Sequence, residues 1–427
     1  MQNKEKKKKK LSLTTLIFIA LLAGALAGVI INYLIPSNYV VDDIIVQGVF
    51  YIVGQGFIRL MRMLVVPLVF CSIVCGSMAV GDTKKLGSVG VKTLIFYLCT
   101  TALAITVALS IANIFNPGKG LDMSQIQVTS TVSETTQSMS MTETLLDIIP
   151  VNIFNSLSEE NMLQIIVFAL ILGVILANMG DRVDIVKNFF GQFNDIMMEM
   201  TMAVMKLAPI GVFCLIAKTF AEIGFEVFIP LLKYMFCVLL ALAVQCFVVY
   251  LGLLKIFSGL NPFIFIKNFF PVMAFAFSTS TSNATIPMNI DTLAEKMGVS
   301  KKISSFTIPL GATINMDGTS IMQGVAVVFT AQAFGIPLDM MDYLTVIGTA
   351  TLASIGTAGV PSVGLITLTM VFNSVGLPIE GIALIMGIDR ILDMTRTAVN
   401  ITGDAVCTTI VASWNKAVDR DVYYRRK

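Results

Sequence analysis

Five charged side chains lie within one short stretch of the chain that is otherwise apolar, between Gly387 and Asp404. On a helix, at about 100° per residue, the main polar and charged side chains of this stretch fall on one face, an arc of about 100°. They are Asp389, Asp393, Arg396, Thr397, Asn400 and Asp404. Near the centre of a bilayer, five charges would cost roughly 12–17 kcal/mol if they faced lipid. This face is therefore predicted to point into a wet or paired protein interior.

The residue types on this face indicate their chemistry. The planar guanidinium of Arg396 suits a carboxylate, which it can bind through two parallel hydrogen bonds. Asp393, one turn earlier, can take an ammonium group, and Asn400 and Asp404 offer oxygens to a cation. Three Asp against two Arg on this helix leave negative charge that favours a bound cation. The alternative is an internal salt-bridge network with no ligand.

A second polar stretch, Gly311–Thr319, interrupts the otherwise apolar segment 303–334. Gly318 weakens a helix by about 1 kcal/mol relative to Ala, which predicts local unwinding and free backbone carbonyls. Carboxylate, amide and carbonyl oxygens, such as those of Asn315 and Asp317, are what a hard cation of the calcium class prefers. By analogy of hardness we extend this preference to Na+. The alternative is a polar contact between helices.

Two segments in the second half of the chain, 261–292 and 336–372, have the same interrupted design. Each contains two apolar arms around a polar break, Ser278–Asn283 in the first and Ser354–Pro361 in the second. Both arms of the first segment are expected to be too short to span a membrane comfortably. Irregular backbone at membrane depth is tolerated only where it is buried in protein or lines a cavity. Paired interrupted segments indicate a transporter site. The alternative is two ordinary spans with flexible kinks.

Composition places these segments in a membrane. Of 427 residues, 56% are hydrophobic and 13% charged, whereas soluble domains carry about 25% charged residues. Further apolar segments long enough to span are predicted at 11–35, 44–80, 89–116, 146–178 (broken), 184–220 and 225–257. Lysines before the first segment, and Lys and Arg in alternate loops, predict that both termini are cytoplasmic. The chain has no histidine, which removes the commonest proton relay.

These motifs resemble those of the dicarboxylate/amino acid:cation symporter family, whose members include archaeal aspartate, mammalian glutamate and neutral amino acid transporters. The most specific pieces are Asn315–Thr319, Ser354–Pro361 and Asp389–Asp404, and the similarity runs over nearly the whole chain. The resemblance implies an all-α polytopic membrane protein with eight transmembrane helices and two re-entrant helical hairpins. It also implies a homotrimer in the cell membrane and an elevator mechanism.

The resemblance further divides the chain into scaffold, transport domain and connecting parts. Residues 1–10 would be a basic cytoplasmic N-terminus, and 118–145 a polar extracellular loop. Scaffold helices 1–2 would lie in 11–80 and scaffold helices 4–5 in 146–221. The transport domain would comprise helix 3 in 81–117, and helices 6–8 with both hairpins in 222–415. Residues 416–427 would form a cytoplasmic tail, and hairpin 336–372 the extracellular gate.

Site residues carried over by position form one substrate set and three cation sets. Arg396 would hold the substrate side-chain carboxylate and Asp393 its amino group. The rest of the substrate set is Ser282, Thr319, Val360, Gly364, Thr397 and Asn400. The first cation set is Gly311, Asn315, Asn400 and Asp404. The second is Thr313, Ser354, Ile355 and Thr357. The third is Tyr97, Thr100, Thr101, Asn315 and Asp317.

The function implied is Na+-coupled uptake of aspartate or glutamate, with Na+ as a transported ion and no organic cofactor. Arg396, which neutral amino acid members typically lack, favours an acidic substrate, and Asp393 favours an amino group over succinate or malate. The alternative is a proton- or Na+-coupled symporter of C4-dicarboxylates or neutral amino acids. An intramembrane aspartyl protease is disfavoured because no Gly-x-Gly-Asp signature occurs. A nucleic-acid partner is not expected.

The chain departs from the family pattern at its extra arginine. Some relatives carry this arginine where the chain has Ser280, and others where it has Met394. Here Arg390 is the additional arginine, and it either pairs with Asp389 or has another role.

Overall fold

Helices make up the regular structure of this computed structural model, which describes residues 13–81, 88–121, 149–159, 161–224, 228–355 and 363–424. In these ranges the one β contact is an isolated bridge between Val299 and Val418. Six helical segments are long and apolar enough to cross a membrane. They are Thr15–Leu34, Val40–Leu60, Val89–Phe115, Gln164–Met205, Phe228–Ser258 and Pro262–Thr279. The prediction of an all-helical protein with several membrane-spanning helices is confirmed to this extent.

The first half of the chain forms helices that mostly pack on one another. They are α1 (Leu13–Leu34), α2 (Tyr51–Gly81), α3 (Ser88–Phe115), α4 (Ile153–Ser158), α5 (Met162–Met179), α6 (Asp184–Met205) and α7 (Ala208–Ile223). A π-helix, Val40–Phe50, runs directly into α2. Helix α1 contacts α7, and α2 contacts α5, α6 and α7. Large apolar side chains of α1 such as Leu22 and Leu26 remain exposed, as expected of a helix that meets lipid.

Helix α3 differs from the other first-half helices because its main contacts are with elements of the second half. These are α8 (Phe228–Ala243), the π-helix Val244–Tyr250, α9 (Leu251–Ser258), α10 (Pro262–Thr279), α11 (Ser282–Met297), α12 (Lys301–Ile314), α13 (Asp317–Ala333), α14 (Met340–Ser354), α15 (Val363–Ser374), α16 (Gly381–Trp414) and α17 (Arg420–Tyr424). Helix α3 contacts α8, α13, α14 and α16. The predicted division into scaffold and transport domains stays a prediction.

Helices α13 and α16 form the centre of this second group. Nearly every residue of α13 is buried, which is typical of a helix enclosed on all sides by protein. Helix α16 is 34 residues long and contacts α8, α10, α11, α12 and α13. Its predicted polar face is buried along its whole length, from Asp389 to Asp404. These two helices therefore carry the polar residues that the sequence singled out.

Both interrupted segments consist of two helical arms that contact each other, α10 with α11 and α14 with α15. In the first, the chain reverses at Ser280, whose φ of 52° is left-handed. Its second arm extends to Met297, beyond the predicted end at residue 292. The first arm is 18 residues long and meets the length for a span, contrary to the expectation that both arms are too short. The break of the second segment, 356–362, lies outside the described residues.

Two predicted helices differ from the structure. The segment 184–220 is not one helix, because α6 ends at Met205 and α7 begins at Ala208. Pro209 explains the new start, since proline lacks the N–H that a continuing helix needs and fits the first turn. The segment 303–334 is unwound at Asn315 and Met316 rather than at Gly318, which lies in the first turn of α13. Gly318 instead donates a hydrogen bond from its N–H to Asn400 Oδ1.

Candidate functional site

Arg396 is held between two aspartates of its own helix. Its Nη1 donates to Asp389 Oδ1 at 2.5 Å and its Nη2 to Asp393 Oδ1 at 2.8 Å. All three side chains are buried, and Arg396 is 1% exposed. Its Nε has no hydrogen-bond partner within the described residues. Asp389 is thus paired with Arg396, and the side chain of Arg390 lies outside the described part of the structure.

Thr319 of α13 and Gly364 of α15 lie against this arginine. A Cβ added at Gly364 would lie 3.0 Å from Thr319 Cγ2 and 3.4 Å from Arg396 Nη2. The absent side chain of Gly364 therefore leaves space directly at the guanidinium fork. Three residues of the predicted substrate set, on three different helices, are brought together here. Val360, also in that set, lies outside the described residues.

The remaining substrate residues are less closely connected. Thr397 is buried, and its hydroxyl donates to the Asp393 carbonyl at 2.8 Å. Ser282 is buried at the start of α11, and its carbonyl accepts from Thr285 Oγ1 at 2.6 Å. Helix α11 contacts α16. No hydrogen bond among the described residues joins Ser282 to the other members.

The first cation set is assembled around Asp404. Asn315 Nδ2 donates to Asp404 Oδ1 at 2.9 Å and to the Asn400 carbonyl at 3.0 Å. A Cβ at Gly311 would lie 2.3 Å from Asp404 Oδ1, so only glycine allows this approach. Gly318 has a related role, because its N–H donates to Asn400 Oδ1 at 2.7 Å. The Asn315 side chain and the first turn of α13 thus bind α16.

The third cation set is assembled around Asp317, which begins α13. Thr101 Oγ1 donates to Asp317 Oδ1 at 2.6 Å, with the Tyr97 carbonyl a second acceptor at 2.8 Å. The Thr100 carbonyl accepts a longer bond, 3.4 Å, from Gln245 Nε2. Tyr97, Thr100 and Thr101 are buried in α3. The structure therefore places these α3 residues next to Asp317, and their role as cation ligands stays a prediction.

Two further residues that were not predicted from the sequence contact Asp317. Gln245 Nε2 donates to Asp317 Oδ2 at 3.0 Å, and the Tyr250 hydroxyl donates to the same oxygen at 2.7 Å. Both residues lie in the π-helix Val244–Tyr250. A signal was available, because Gln245 is a lone amide within the strongly apolar segment 225–257. Gln245 belongs to no motif, and no function was predicted for it.

The second cation set is not assembled by hydrogen bonds. Thr313 Oγ1 donates to the Leu310 carbonyl at 2.9 Å, and Ser354 Oγ to the Thr351 carbonyl at 2.7 Å. Both bonds stay within the donor's own helix. No hydrogen bond joins Thr313 to Ser354 or Ile355 among the described residues, and Thr357 lies outside them. This set remains a prediction.

The buried charges of the described residues are four aspartates and one arginine. They are Asp317, Asp389, Asp393, Arg396 and Asp404. Arg396 pairs with two of them, whereas Asp317 and Asp404 form no salt bridge within the described residues. Isolated buried carboxylates are costly, so they are usually paired or coordinate metals. The arrangement can therefore hold both a zwitterionic acid at Arg396 and a cation near Asp317 or Asp404.

The sequence model of the sodium:dicarboxylate symporter family matches residues 13–414. The chain belongs to this family. A proton/sodium-glutamate symport protein of Bacillus caldotenax is 39% identical over 411 residues, 95% of each chain. A proton/glutamate-aspartate symporter of Escherichia coli (strain K12) is 36% identical, over 96% of this chain and 94% of the relative. C4-dicarboxylate transport protein 1 of Ralstonia nicotianae is 32% identical, over 95% and 94% of the two chains. These relatives are transporters, not enzymes, and they cover nearly all of the chain.

Proposed function

We propose that the chain is a secondary active symporter that takes up aspartate or glutamate together with Na+. The observation that carries this proposal is the buried trio of Arg396, Asp389 and Asp393 beside the space at Gly364. Family membership supports a symporter of acidic amino acids or C4-dicarboxylates. Na+ coupling and the choice of an amino acid are our inference from the residues.

The pairing of Arg396 with Asp393 explains why an acidic amino acid suits this site. Such a substrate brings a carboxylate for Arg396 and an ammonium group for Asp393. Binding then exchanges the Arg396–Asp393 ion pair for two ion pairs with the substrate, so neither side chain loses its counter-charge. A dicarboxylate without an amino group would separate the pair and leave Asp393 facing no cation, which is costly in a buried site. Asp389 would keep its hydrogen bond to Arg396 Nη1 before and after the substrate binds.

Na+ coupling is supported by Asp317 and Asp404. Both carboxylates are buried and form no salt bridge among the described residues, and amide and hydroxyl groups surround them. Such oxygens suit a hard monovalent cation. Cation binding would neutralise this charge and stabilise the contact between α13 and α16 through Asn315. Substrate and cation would then favour the same packed arrangement, which is the basis of coupling.

The remaining features of the proposal follow the family pattern. Helices α8–α16 with α3 would move as a transport domain past a scaffold of α1, α2 and α4–α7. Hairpin 336–372 would gate the site from outside, and the protein would be a homotrimer in the cell membrane with both termini cytoplasmic. The apolar exposed surface of α1 is consistent with contact to lipid or to another protomer.

C4-dicarboxylate transport is the second candidate, because several relatives carry that name. The two candidates differ in the use of Asp393. The test is uptake of labelled aspartate into proteoliposomes with an inward Na+ gradient or an inward proton gradient in Na+-free buffer. Unlabelled glutamate and succinate compete in parallel. We expect accumulation with the Na+ gradient and stronger competition by glutamate. Equal accumulation with the proton gradient would contradict Na+ coupling, and stronger competition by succinate would favour the second candidate.

The role of Arg396 is tested by Arg396→Lys, which keeps the charge but removes the planar fork. We expect the KM for aspartate to rise about 100-fold, an effect of about 2.7 kcal/mol, while Na+ still raises the melting temperature. Arg182→Lys, at an exposed arginine, is the matched control and should leave both quantities unchanged. An unchanged KM in Arg396→Lys would remove the argument for carboxylate recognition at this position.

A further inference from the structure

Gln245 is a polar residue within an apolar segment, and no sequence motif accounts for it. It lies in the continuous helical segment Phe228–Ser258, which is strongly apolar and long enough to cross a membrane. Its side chain is completely buried. Transfer of an amide from water to an apolar interior costs free energy unless hydrogen bonds within the protein replace those to water.

The two ends of the amide differ. Nε2 donates to Asp317 Oδ2 at 3.0 Å and makes a longer contact, 3.4 Å, with the Thr100 carbonyl. Oε1 is buried and has no hydrogen-bond partner among the described residues. Asn315 Oδ1 is a second buried oxygen without a partner there. Oxygens that lack donors, beside a carboxylate that lacks a basic partner, form an acceptor-rich environment suited to a cation.

The π-helix explains how Gln245 reaches this environment. Its hydrogen bonds connect residues five apart, and such segments occur frequently at functional sites. Gln245 and Tyr250 are separated by five residues, and both bond Asp317 Oδ2. A Cβ at Gly403 would lie 2.5 Å from the Tyr250 hydroxyl and 2.6 Å from Asn315 Nδ2. The π-helix therefore directs two polar groups of α8–α9 toward the junction between the Asp317 and Asp404 sets.

We propose that Gln245 is a further residue of the cation site, a hydrogen-bond donor to Asp317 when the cation is absent and an oxygen ligand when it is bound. This inference rests on the proposed Na+ coupling. An amide carries its oxygen and its NH2 group in nearly equivalent positions, so a half-turn of the group exchanges them. In the cation-free protein the NH2 group stabilises the Asp317 charge. Once a cation lies at Asp317, the turned amide presents Oε1 to it.

Removal of the Gln245 side chain should change cation affinity in a different direction under each of the two roles. A measurement of cation affinity therefore distinguishes them. A group that only donates to Asp317 competes with the cation, so its removal leaves cation affinity unchanged or stronger. A group that also becomes a ligand contributes to the loaded state, so its removal weakens affinity. Tyr250 donates to the same carboxylate oxygen as Gln245 and provides the matched comparison. Tyr250→Phe removes one hydrogen bond and keeps the ring.

The experiment measures the melting temperature of the full chain in detergent without aspartate, as NaCl replaces choline chloride at constant ionic strength. A ligand that binds only the folded state raises this temperature with concentration, and the midpoint reports affinity. We expect Gln245→Leu to raise the Na+ concentration at the midpoint about tenfold or more. Tyr250→Phe should leave it unchanged or lower. Gln245→Glu, which restores an oxygen, should keep the midpoint at or below that of the wild type.

Each outcome has a defined meaning. A Gln245→Leu midpoint equal to that of the wild type, or shifted in the same direction as in Tyr250→Phe, would overturn the ligand role while Na+ coupling stands. A wild-type protein whose melting temperature does not respond to Na+ would overturn both proposals. Gln332→Leu is the control for loss of a structural glutamine, because Gln332 bonds Asn116 and Gly118 away from this site. It should change the Na+-free melting temperature and leave the midpoint unchanged.

Discussion

Asp317 and Asp404 are two buried carboxylates with the same formal charge and different surroundings. Asp317 accepts hydrogen bonds from Thr101, Gln245 and Tyr250, which come from two other parts of the chain. Among the described residues Asp404 accepts one, from Asn315. Neither forms a salt bridge within the described residues. The two carboxylates therefore differ in how much of their charge the protein itself stabilises.

This difference affects how much each carboxylate costs to bury. Hydrogen bonds to a charged group contribute about 1.5–3 kcal/mol each, so the three donors at Asp317 offset much of its desolvation cost. Asp404 has one such bond, and its charge depends more on a ligand that arrives from outside. We infer that the protein itself stabilises the charge of Asp317 more than the charge of Asp404.

The largest effect is expected when each carboxylate is replaced by an amide. In Asp317→Asn, an NH2 group would face hydroxyl and amide donors. The free energy of unfolding in Na+-free choline buffer should therefore fall by about 3 kcal/mol or more. In Asp404→Asn, a poorly compensated charge disappears, so stability in the same buffer should not fall. The measurement is the thermal or chemical unfolding midpoint in detergent. An equal loss in both variants would show that the protein stabilises the two charges equally.

A smaller effect is expected from closing the approach to Asp404. A Cβ at Gly311 would lie 2.3 Å from Asp404 Oδ1 and 2.5 Å from the Tyr97 hydroxyl, so one of them must move. We expect Gly311→Ala to weaken Na+ binding about tenfold, or by about 1.4 kcal/mol. The Na+ dependence of the melting temperature measures this.

Gly252 provides the matched control, because a Cβ there would meet no heavy atom within 4 Å. Gly252→Ala should leave the Na+ midpoint unchanged and stabilise the helix by up to about 1 kcal/mol. A Gly311→Ala midpoint equal to that of Gly252→Ala would indicate that Asp404 is not part of a cation site.

An effect of similar size to that of Gly311→Ala is expected from removing one of the three donors at Asp317. Thr101→Val deletes the bond to Oδ1 and leaves Gln245 and Tyr250 on Oδ2, so the cost should be about 1–2 kcal/mol in Na+-free buffer. Thr106 is the control, since it is exposed and its hydroxyl bonds the Ala102 carbonyl of its own helix. Thr106→Val should change stability by less than about 0.5 kcal/mol. A Thr101→Val cost as large as that of Asp317→Asn would contradict shared stabilisation by three donors.

Much of this site was predictable because its signals are local. The spacing of Asp389, Asp393, Arg396 and Asp404 places them on one helical face, and lipid forces such a face inward. The break near Asn315 was expected within the right stretch, although its position was assigned to Gly318. A glycine can serve either flexibility or close approach, and sequence alone does not distinguish these uses. At Gly318 the structure shows close approach to α16.

Other parts of the site depend on contacts between distant segments. Asp389 accepts a hydrogen bond from Arg396, seven residues later, whereas the sequence suggested the adjacent Arg390, whose side chain lies outside the described residues. Gln245 and Tyr250 reach Asp317 across more than 60 residues of chain. Nothing in their local sequence identifies a π-helix, because an apolar span favours α-helix and π-helix by the same pattern.

The sequence by itself determined that charged groups occupy a buried helical face, that two interrupted hairpins precede polar helices, and which family the chain resembles. These properties follow from periodicity and from the high cost of charge in lipid, which depend only on residue types and spacing. The tertiary structure decided which carboxylate receives three donors and which receives one. That outcome depends on the packing of α3 and of the π-helix against α13, and such distances are fixed only when separate helices meet.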